Sequence, residues 1–64
     1  MTEALYFETY NGSDFYRDKY GNVYTKVGQE TAFCSNLKHG RLTEDKAEPS
    51  YPVRDVMLVG GNNG

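Results

Sequence analysis

The chain has 64 residues, which is enough for one domain, and a domain of this size buries only about 60% of the surface that its unfolded chain exposes. A single cysteine excludes an intramolecular disulfide, and a single histidine leaves a structural zinc site without its usual ligands. Nine acidic against seven basic residues argue against duplex nucleic acid as the partner, because phosphate binding rests on positive charge. With no cross-link to stabilise so small a core, a monomer and a homodimer are equally open.

The lone thiol is typical of a reducing compartment. The first residues, MTEALYFETYNG, have no basic leader and carry Glu3 and Glu8 within their apolar stretch, which is too short for a signal sequence. No run approaches the roughly 18–20 apolar residues of a membrane span. These features predict a cytoplasmic protein.

The N-terminal half alternates apolar and polar residues between turn signals, which predicts three strands. In the first strand, Leu5, Phe7 and Thr9 share the face expected to be buried. Asn11-Gly12 is typical of a tight turn, since both residues tolerate positive φ. The three expected strands are residues 3–10, 13–19 and 23–27.

The C-terminal half predicts shorter strands. Residues 36–40 end in Gly40 and are expected to join two hairpin strands, 31–35 and 41–43. Residues 44–50 are polar and acidic, as in a loop, and 51–59 form the last strand with Pro52 near its start, a position that an edge strand tolerates.

No segment shows helical apolar spacing over three turns, so the predicted fold is all-β. We expect a single small antiparallel barrel or strongly bent sheet of about five to six short strands, Src-homology-3-like, over residues 1–59, with a flexible tail at 60–64. The residues expected to form its core are Leu5, Phe7, Phe15, Val23, Val27, Phe33, Leu42, Val53, Val56 and Leu58.

Four segments within about residues 15–58 form a recognisable pattern: 21–27 (GNVYTKV), Ala32, 37–42 (LKHGRL) and 53–56 (VRDV). This pattern resembles that of small uncharacterised proteins of phages and prophages. The acidic loop at 44–50 and the aromatic first strand depart from that pattern. The resemblance implies a small β-barrel of phage-type origin and no catalytic residues.

Few residues offer chemistry. His39 lies in a predicted turn and Cys34 in a strand, where a free cysteine is more often a small buried hydrophobe than a nucleophile. Glu44, Asp45 and Glu48 lack the spacing of a calcium loop and are interrupted by Lys46. The sequence therefore predicts no enzyme, no metal and no cofactor.

Aromatic and basic residues interleave instead. Six tyrosines and three phenylalanines are many for this length. Three interpretations stay open: tyrosines that cover the barrel with their hydroxyls in water, a protein-binding face, or a stacking platform for single-stranded nucleic acid. The leading hypothesis is a non-enzymatic protein-binding module, a phage-type accessory protein that inhibits or modulates a host protein, and the single-strand binder is the alternative. The candidate binding residues are Tyr6, Tyr10, Tyr16, Arg17, Tyr20, Tyr24 and Lys26.

Overall fold

A computed structural model of the chain describes residues 1–42 and 48–61, and these residues contain six strands and no helix. The strands are β1 (Thr2–Tyr10), β2 (Ser13–Asp18), β3 (Asn22–Val27), β4 (Glu30–Asn36), β5 (Tyr51–Val53) and β6 (Val56–Val59). The all-β prediction and the first three strands are confirmed. Within the described residues no helix is long and apolar enough to cross a membrane.

All six strands form one sheet in the order β5-β4-β3-β2-β1-β6. β5 and β6 lie at opposite edges of that sheet, yet only Arg54 and Asp55 separate them in the chain. The sheet must therefore curl strongly to bring its edges together, and it forms a half-barrel. The predicted bent sheet is confirmed.

One pairing differs from the antiparallel expectation. β6 runs parallel to β1, with Val56 opposite Thr2 and Leu58 opposite Ala4. The two-residue connection carries the chain across the open side of the half-barrel without reversing it, so β6 reaches β1 in the same direction. The sheet is therefore mixed.

Two tight turns follow directly from their residue types. Asn11 and Gly12 have φ of 53° and 80°, the pair of positive angles that a type I′ hairpin turn needs. Gly28 has φ of 63° at the first position of the turn between β3 and β4. These turns set the register of the antiparallel part of the sheet.

The predicted hairpin around residues 36–40 is wrong. β4 pairs with β5 instead, with Phe33 opposite Tyr51. Arg41 and Leu42 are not in a strand, and Thr43 lies outside the described residues, as do most of the predicted 44–50 loop and residues 62–64 of the predicted tail. Residues 37–42, here called the crossing segment, run across one face of the sheet from β4 to β1.

The crossing segment is fixed at both ends. The Arg17 guanidinium donates hydrogen bonds to the carbonyl oxygens of Leu37 (3.1 Å) and Gly40 (3.0 Å). At the far end, the backbone N–H of Leu42 donates to the buried carboxylate of Glu8 at 3.2 Å. These contacts hold the Leu42 side chain against the sheet.

Each face of the sheet has its own core cluster. The outer cluster lies under the crossing segment and has Phe15, Val23 and Leu42 at its centre. The inner cluster lies inside the half-barrel, where residues of β5 and β6 pack on the middle strands. The inner residues are Ala4, Tyr16 and Tyr24, with Phe33, Val53, Val56 and Leu58 packed against them.

Most of the predicted core is confirmed. Phe15, Val23 and Leu42 are buried, and the partly buried Phe7, Phe33, Val53, Val56 and Leu58 pack against one cluster or the other. Leu5 and Val27 are wrong, because they are 54% and 51% exposed. Both project from the outer face of the sheet and neither belongs to the cluster beneath the crossing segment.

Leu5 lies on the same outer face as Phe7, but the crossing segment does not cover it. A β-bulge shifts the β1–β2 register between Tyr6 and Glu8, so residues before and after it use opposite parities for the same face. Ala4 takes the inner position before the bulge, and Leu5 points outward.

The start of the predicted flexible tail is also placed against the fold. The Tyr16 hydroxyl donates to the carbonyl oxygen of Gly60 at 3.5 Å. A Cβ at Gly61 would lie 2.7 Å from the same hydroxyl, so only glycine fits this close approach. Gly60 and Gly61 thus pack beside Tyr16 on the inner face.

Candidate interaction surface

The tyrosines of β2 and β3 were the central expectation for a binding face, and the structure buries them. Tyr16 and Tyr24 lie opposite each other in the β2–β3 ladder and do share a face, but it is the inner one. Both side chains belong to the inner core. Their rings are not available to a partner, so the predicted stacking platform loses two of its members.

Tyr24 can enter the core because its hydroxyl has a partner there. It donates a hydrogen bond to the Asp18 carboxylate at 3.0 Å, and burial together with that bond raises the pKa of Tyr24 to about 12. The same carboxylate accepts the backbone N–H groups of Tyr20 and Asn22 at 2.8 Å and 3.0 Å. Asp18 thereby joins the β2–β3 turn to the core.

Arg17 is structural as well. Its guanidinium lies over the Phe7 ring at 4.5 Å while it holds the crossing segment. Both carbonyl bonds come from Nη1, and together with the Phe7 contact they fix the position of the guanidinium within the fold.

The four remaining predicted residues are spread over the molecule. Tyr20 is 59% exposed, and the Lys19 ammonium lies 5.3 Å from its ring centre. Tyr6 is on the inner face and shares a short hydrogen bond of 2.7 Å with Thr9. Tyr10 packs against the outer cluster, and Lys26 is an exposed inner-face residue near the far end of β3. They do not form one surface.

A different group of apolar side chains is exposed together. On the outer face of β1 and β6, Leu5 lies opposite Val59, and Met57 lies opposite Glu3. Leu5 is 54% exposed and Met57 47% exposed, since the crossing segment covers the sheet only as far as Phe7 and Phe15. We call Met1, Leu5, Tyr20 and Met57 the outer patch.

A cleft of about 500 Å³ lies beside three of the outer-patch residues, Met1, Leu5 and Tyr20, between the start of β1 and the β2–β3 turn. Met1, Leu5 and Tyr20 supply apolar walls, while Glu3 and Lys19 supply opposite charges. The volume is within the usual range for ligand clefts, roughly 300–1,000 Å³. An apolar centre with a charged border is the common anatomy of a protein-binding surface.

The residues with chemical potential do not assemble into a reactive site. Burial raises the pKa of the Cys34 thiol to about 11, so the thiol is protonated at neutral pH. The thiol donates a long hydrogen bond to the carbonyl oxygen of Ala32 at 3.9 Å, and His39 is exposed. Among residues 1–42 and 48–61, no three His, Cys, Asp or Glu side chains are grouped to hold a metal ion. Glu44 and Asp45 lie outside those residues.

Comparisons with known proteins add no relationship. No family model matches the chain, and neither a curated protein nor a solved structure matches it.

Sequence reasoning found one of the four outer-patch residues, Tyr20, and missed Met1, Leu5 and Met57. A signal was available at residues 56–59, where four apolar residues follow one another. Apolar and polar residues alternate in a strand with one solvated face. An unbroken apolar run on an edge strand therefore indicates that the side chains of both faces make contacts.

Proposed function

We propose that this protein is a small non-enzymatic binding module that uses the outer patch to bind another protein. The observation that carries the proposal is the exposure of Leu5 and Tyr20 in one cleft, with Met57 also exposed on the neighbouring strand, on a part of the outer face that the crossing segment does not cover. Contiguous apolar exposure of this kind marks interaction sites on small domains.

The expected partner offers an apolar side chain to the cleft and polar groups to its border. Glu3 and Lys19 can then pair with a complementary cation and anion at the rim, which fixes orientation more than affinity. In the phage setting that the sequence suggests, the partner is a host protein whose activity the module inhibits or modulates.

The single-strand nucleic-acid alternative has less support. The rings of Tyr16 and Tyr24 are buried, Arg17 is engaged, and Lys26 is separated from Tyr20 along β3.

Quantitative affinity purification tests the proposal. Tagged wild type is compared with Leu5→Thr and Tyr20→Ser, which remove apolar surface from exposed positions, and with Val27→Thr as the control. Val27 is 51% exposed on the same face of the sheet but on β3, away from the outer patch.

We expect at least a tenfold loss of the specific partner with Leu5→Thr and Tyr20→Ser and retention with Val27→Thr, provided that circular dichroism shows all three variants folded. A partner that binds every variant equally would contradict the assignment of the outer patch. Removing the partner with Val27→Thr alone would place the site elsewhere.

A further inference from the structure

The turn between β1 and β2 contains a pair of residues with a reaction open to them. Asn11 and Gly12 form this turn, and both are exposed. The backbone nitrogen that follows an asparagine can attack its side-chain amide, and glycine has no side chain to shield that nitrogen. A Cβ at Gly12 would meet nothing within 4 Å, so the surroundings of the turn leave the approach open as well.

Neither reacting group is held by the fold. The turn joins the paired residues Tyr10 and Ser13, and in a two-residue hairpin the hydrogen bond across the turn uses the backbone of this flanking pair. Within residues 1–42 and 48–61, the Gly12 N–H makes no backbone hydrogen bond. In the same part of the chain the Asn11 amide has no hydrogen-bond partner.

The other asparagines in the described ranges are different. The Asn22 amide donates to Asp18 at 3.2 Å, and the Asn36 amide donates to the Asn22 side-chain oxygen at 2.9 Å. The residues that follow them are Val23 and Leu37, whose side chains shield the next nitrogen. Asn11 therefore combines a free amide with an unshielded neighbour, whereas these two combine an engaged amide with a bulky one.

We propose that Asn11 is a site of spontaneous covalent modification, at which the side-chain amide is lost and isoaspartate forms through a succinimide. The Gly12 nitrogen attacks Cγ of Asn11, and the new N–Cγ bond closes a five-membered ring. The amide nitrogen leaves as ammonia with the proton of the Gly12 N–H. Water then adds to one of the two ring carbonyls, so that opening at the backbone carbonyl gives isoaspartate and opening at Cγ gives aspartate. No atom is oxidised or reduced.

Isoaspartate does not fit this turn. It continues the main chain through its side chain, which adds one carbon atom to the backbone between Tyr10 and Ser13. A type I′ turn is made by two residues with positive φ, and Asn11 and Gly12 supply 53° and 80°. The longer link cannot keep Tyr10 opposite Ser13 in the ladder.

The distortion would reach the crossing segment. Glu8 lies two residues before Tyr10, and its carboxylate accepts the backbone N–H of Leu42 at 3.2 Å. Tyr10 itself packs against the outer cluster. The isoaspartate form should therefore cover that cluster less well and be less stable than the unmodified chain. This inference concerns how long the fold persists, so it goes beyond the proposed binding function and does not depend on it.

Timed incubation of the full chain tests the reaction. Folded protein is kept at pH 8, digested and mapped by mass spectrometry, with chromatographic separation of aspartate from isoaspartate. Isoaspartate at position 11 should accumulate at least tenfold faster than any modification of Asn22 or Asn36. A parallel sample in guanidinium chloride gives the rate of the unfolded chain, and the folded rate should be at least one-tenth of it. A slower folded rate would overturn the proposal, because the turn would then protect Asn11.

The variant Gly12→Ala tests the succinimide route. It keeps the Asn11 amide and adds a side chain beside the attacking nitrogen, so modification of Asn11 should slow at least tenfold. The comparison is also made in guanidinium chloride, so it does not require the variant to fold. Asn63-Gly64, the other Asn-Gly pair of the sequence, provides the reference rate in each digest. An unchanged rate at Asn11 relative to this reference would refute the route.

The structural consequence is measured on the modified protein. The isoaspartate fraction, isolated by ion exchange, should unfold at a lower urea concentration than fresh wild type. Asn11→Gly is the matched control, because glycine adopts the positive φ and has no amide to lose. After the same incubation its urea midpoint should be unchanged. Equal midpoints for the isoaspartate fraction and fresh protein would show that the turn tolerates the longer link and would overturn this part of the inference.

Discussion

Asp18 offers the sharpest test of how this small core is held together. Its carboxylate is buried and accepts four hydrogen bonds, two from backbone N–H groups of the β2–β3 turn and two from the side chains of Asn22 and Tyr24. Asp18→Asn preserves the shape of the side chain. It replaces one acceptor oxygen by an NH₂ group that faces the donors of Asn22 and Tyr24.

The expected loss is about 2 kcal/mol of unfolding free energy. Hydrogen bonds to a charged acceptor contribute about 1.5–3 kcal/mol each. The substitution disturbs the bonds from the Asn22 side chain and the Tyr24 hydroxyl, and rotation of that hydroxyl recovers part of the lost energy. A domain of this length has a total stability of about 3–10 kcal/mol. The substitution should therefore lower the melting temperature by about 10 °C.

The pH dependence gives a second signature of the same interaction. Burial alone would raise the pKa of Asp18, but the hydrogen bonds from Asn22, Tyr20 and Tyr24 outweigh it and lower the pKa below 3.8. A carboxylate with a depressed folded-state pKa stabilises the fold fully above its unfolded value, and that stability is lost as pH falls through the folded value. The difference between wild type and Asp18→Asn should be full at pH 7 and shrink below about pH 4.

Urea titrations at pH 7, 5 and 3 measure this difference, with Asp55→Asn as the control. Asp55 is exposed and has φ of 60°, which asparagine tolerates equally well. A difference below about 0.5 kcal/mol at pH 7, or one unchanged at pH 3, would show that the carboxylate does not act as argued.

Three further outcomes are expected. Gly21→Ala should lower the unfolding free energy by about 2–3 kcal/mol in urea titrations, because Gly21 has a φ of 90° and a Cβ there would lie 2.7 Å from the Lys38 side chain and 3.1 Å from the Lys38 Cα. Gly28→Ala, where a Cβ would meet open space, should cost only about 1 kcal/mol. Arg17→Lys replaces the planar group that lies over the Phe7 ring by a compact ammonium on a different stem, so it should weaken the hold on the crossing segment, raise amide exchange there and cost about 1–2 kcal/mol; unchanged exchange would contradict the role of Arg17. Cys34 in the native chain should react with iodoacetamide at pH 8 about 100-fold more slowly than in urea, because its pKa is raised from 9.0 to about 11, and equal rates would argue against its burial.

The local part of this fold follows from the sequence. Asn11-Gly12 and Gly28 carry the φ values that tight hairpins require, and the residues between them alternate as strands. Hairpins of this kind pair neighbours in the chain, so their register is determined within a few residues. This is why β1 to β3 were predicted in their correct places.

The non-local part was not accessible in the same way. The residues 3–10 alternate on both faces, so alternation alone cannot choose between Ala4 and Leu5 for the interior. The choice depends on β6, which packs with Ala4 on the inner face, and on how far the crossing segment extends over β1, and both are contacts between residues that are distant in the chain. The pairing of β4 with β5 is also non-local, because it places Phe33 opposite Tyr51, which is distant in the sequence.

Tyr16 and Tyr24 lie in the core and not on a surface, and the reason that the sequence did not predict this is chemical. A tyrosine on an alternating strand fits a wet surface and a core equally, unless a partner for its hydroxyl is known. For Tyr24 the partner is Asp18. The backbone N–H groups of the turn residues Tyr20 and Asn22 also donate to the Asp18 carboxylate and hold it in place beside Tyr24. The available signal was an aspartate, Asp18, at the end of a strand and directly before a tight turn. Its carboxylate can accept the backbone N–H groups two and four residues later, and this indicates a buried acceptor for a neighbouring tyrosine hydroxyl.

The short length of the chain explains why the outer face of the sheet is only partly covered. In this chain of 64 residues the crossing segment covers Phe15 and Val23 on the outer face. Its hydrogen bonds to Arg17 and Glu8 hold it there. Nothing in residues 1–42 and 48–61 lies over Leu5 and Met57, which remain about half exposed beside an unpaired edge. Burying both on a partner would recover apolar burial at about 25 cal/mol per Å², a gain that a small domain with little internal core cannot obtain alone. If this reasoning is correct, urea titrations should show that Leu5→Thr leaves the isolated domain as stable as wild type within about 0.5 kcal/mol while it weakens partner binding, because the exposed part of this side chain serves contact with another molecule and not the fold.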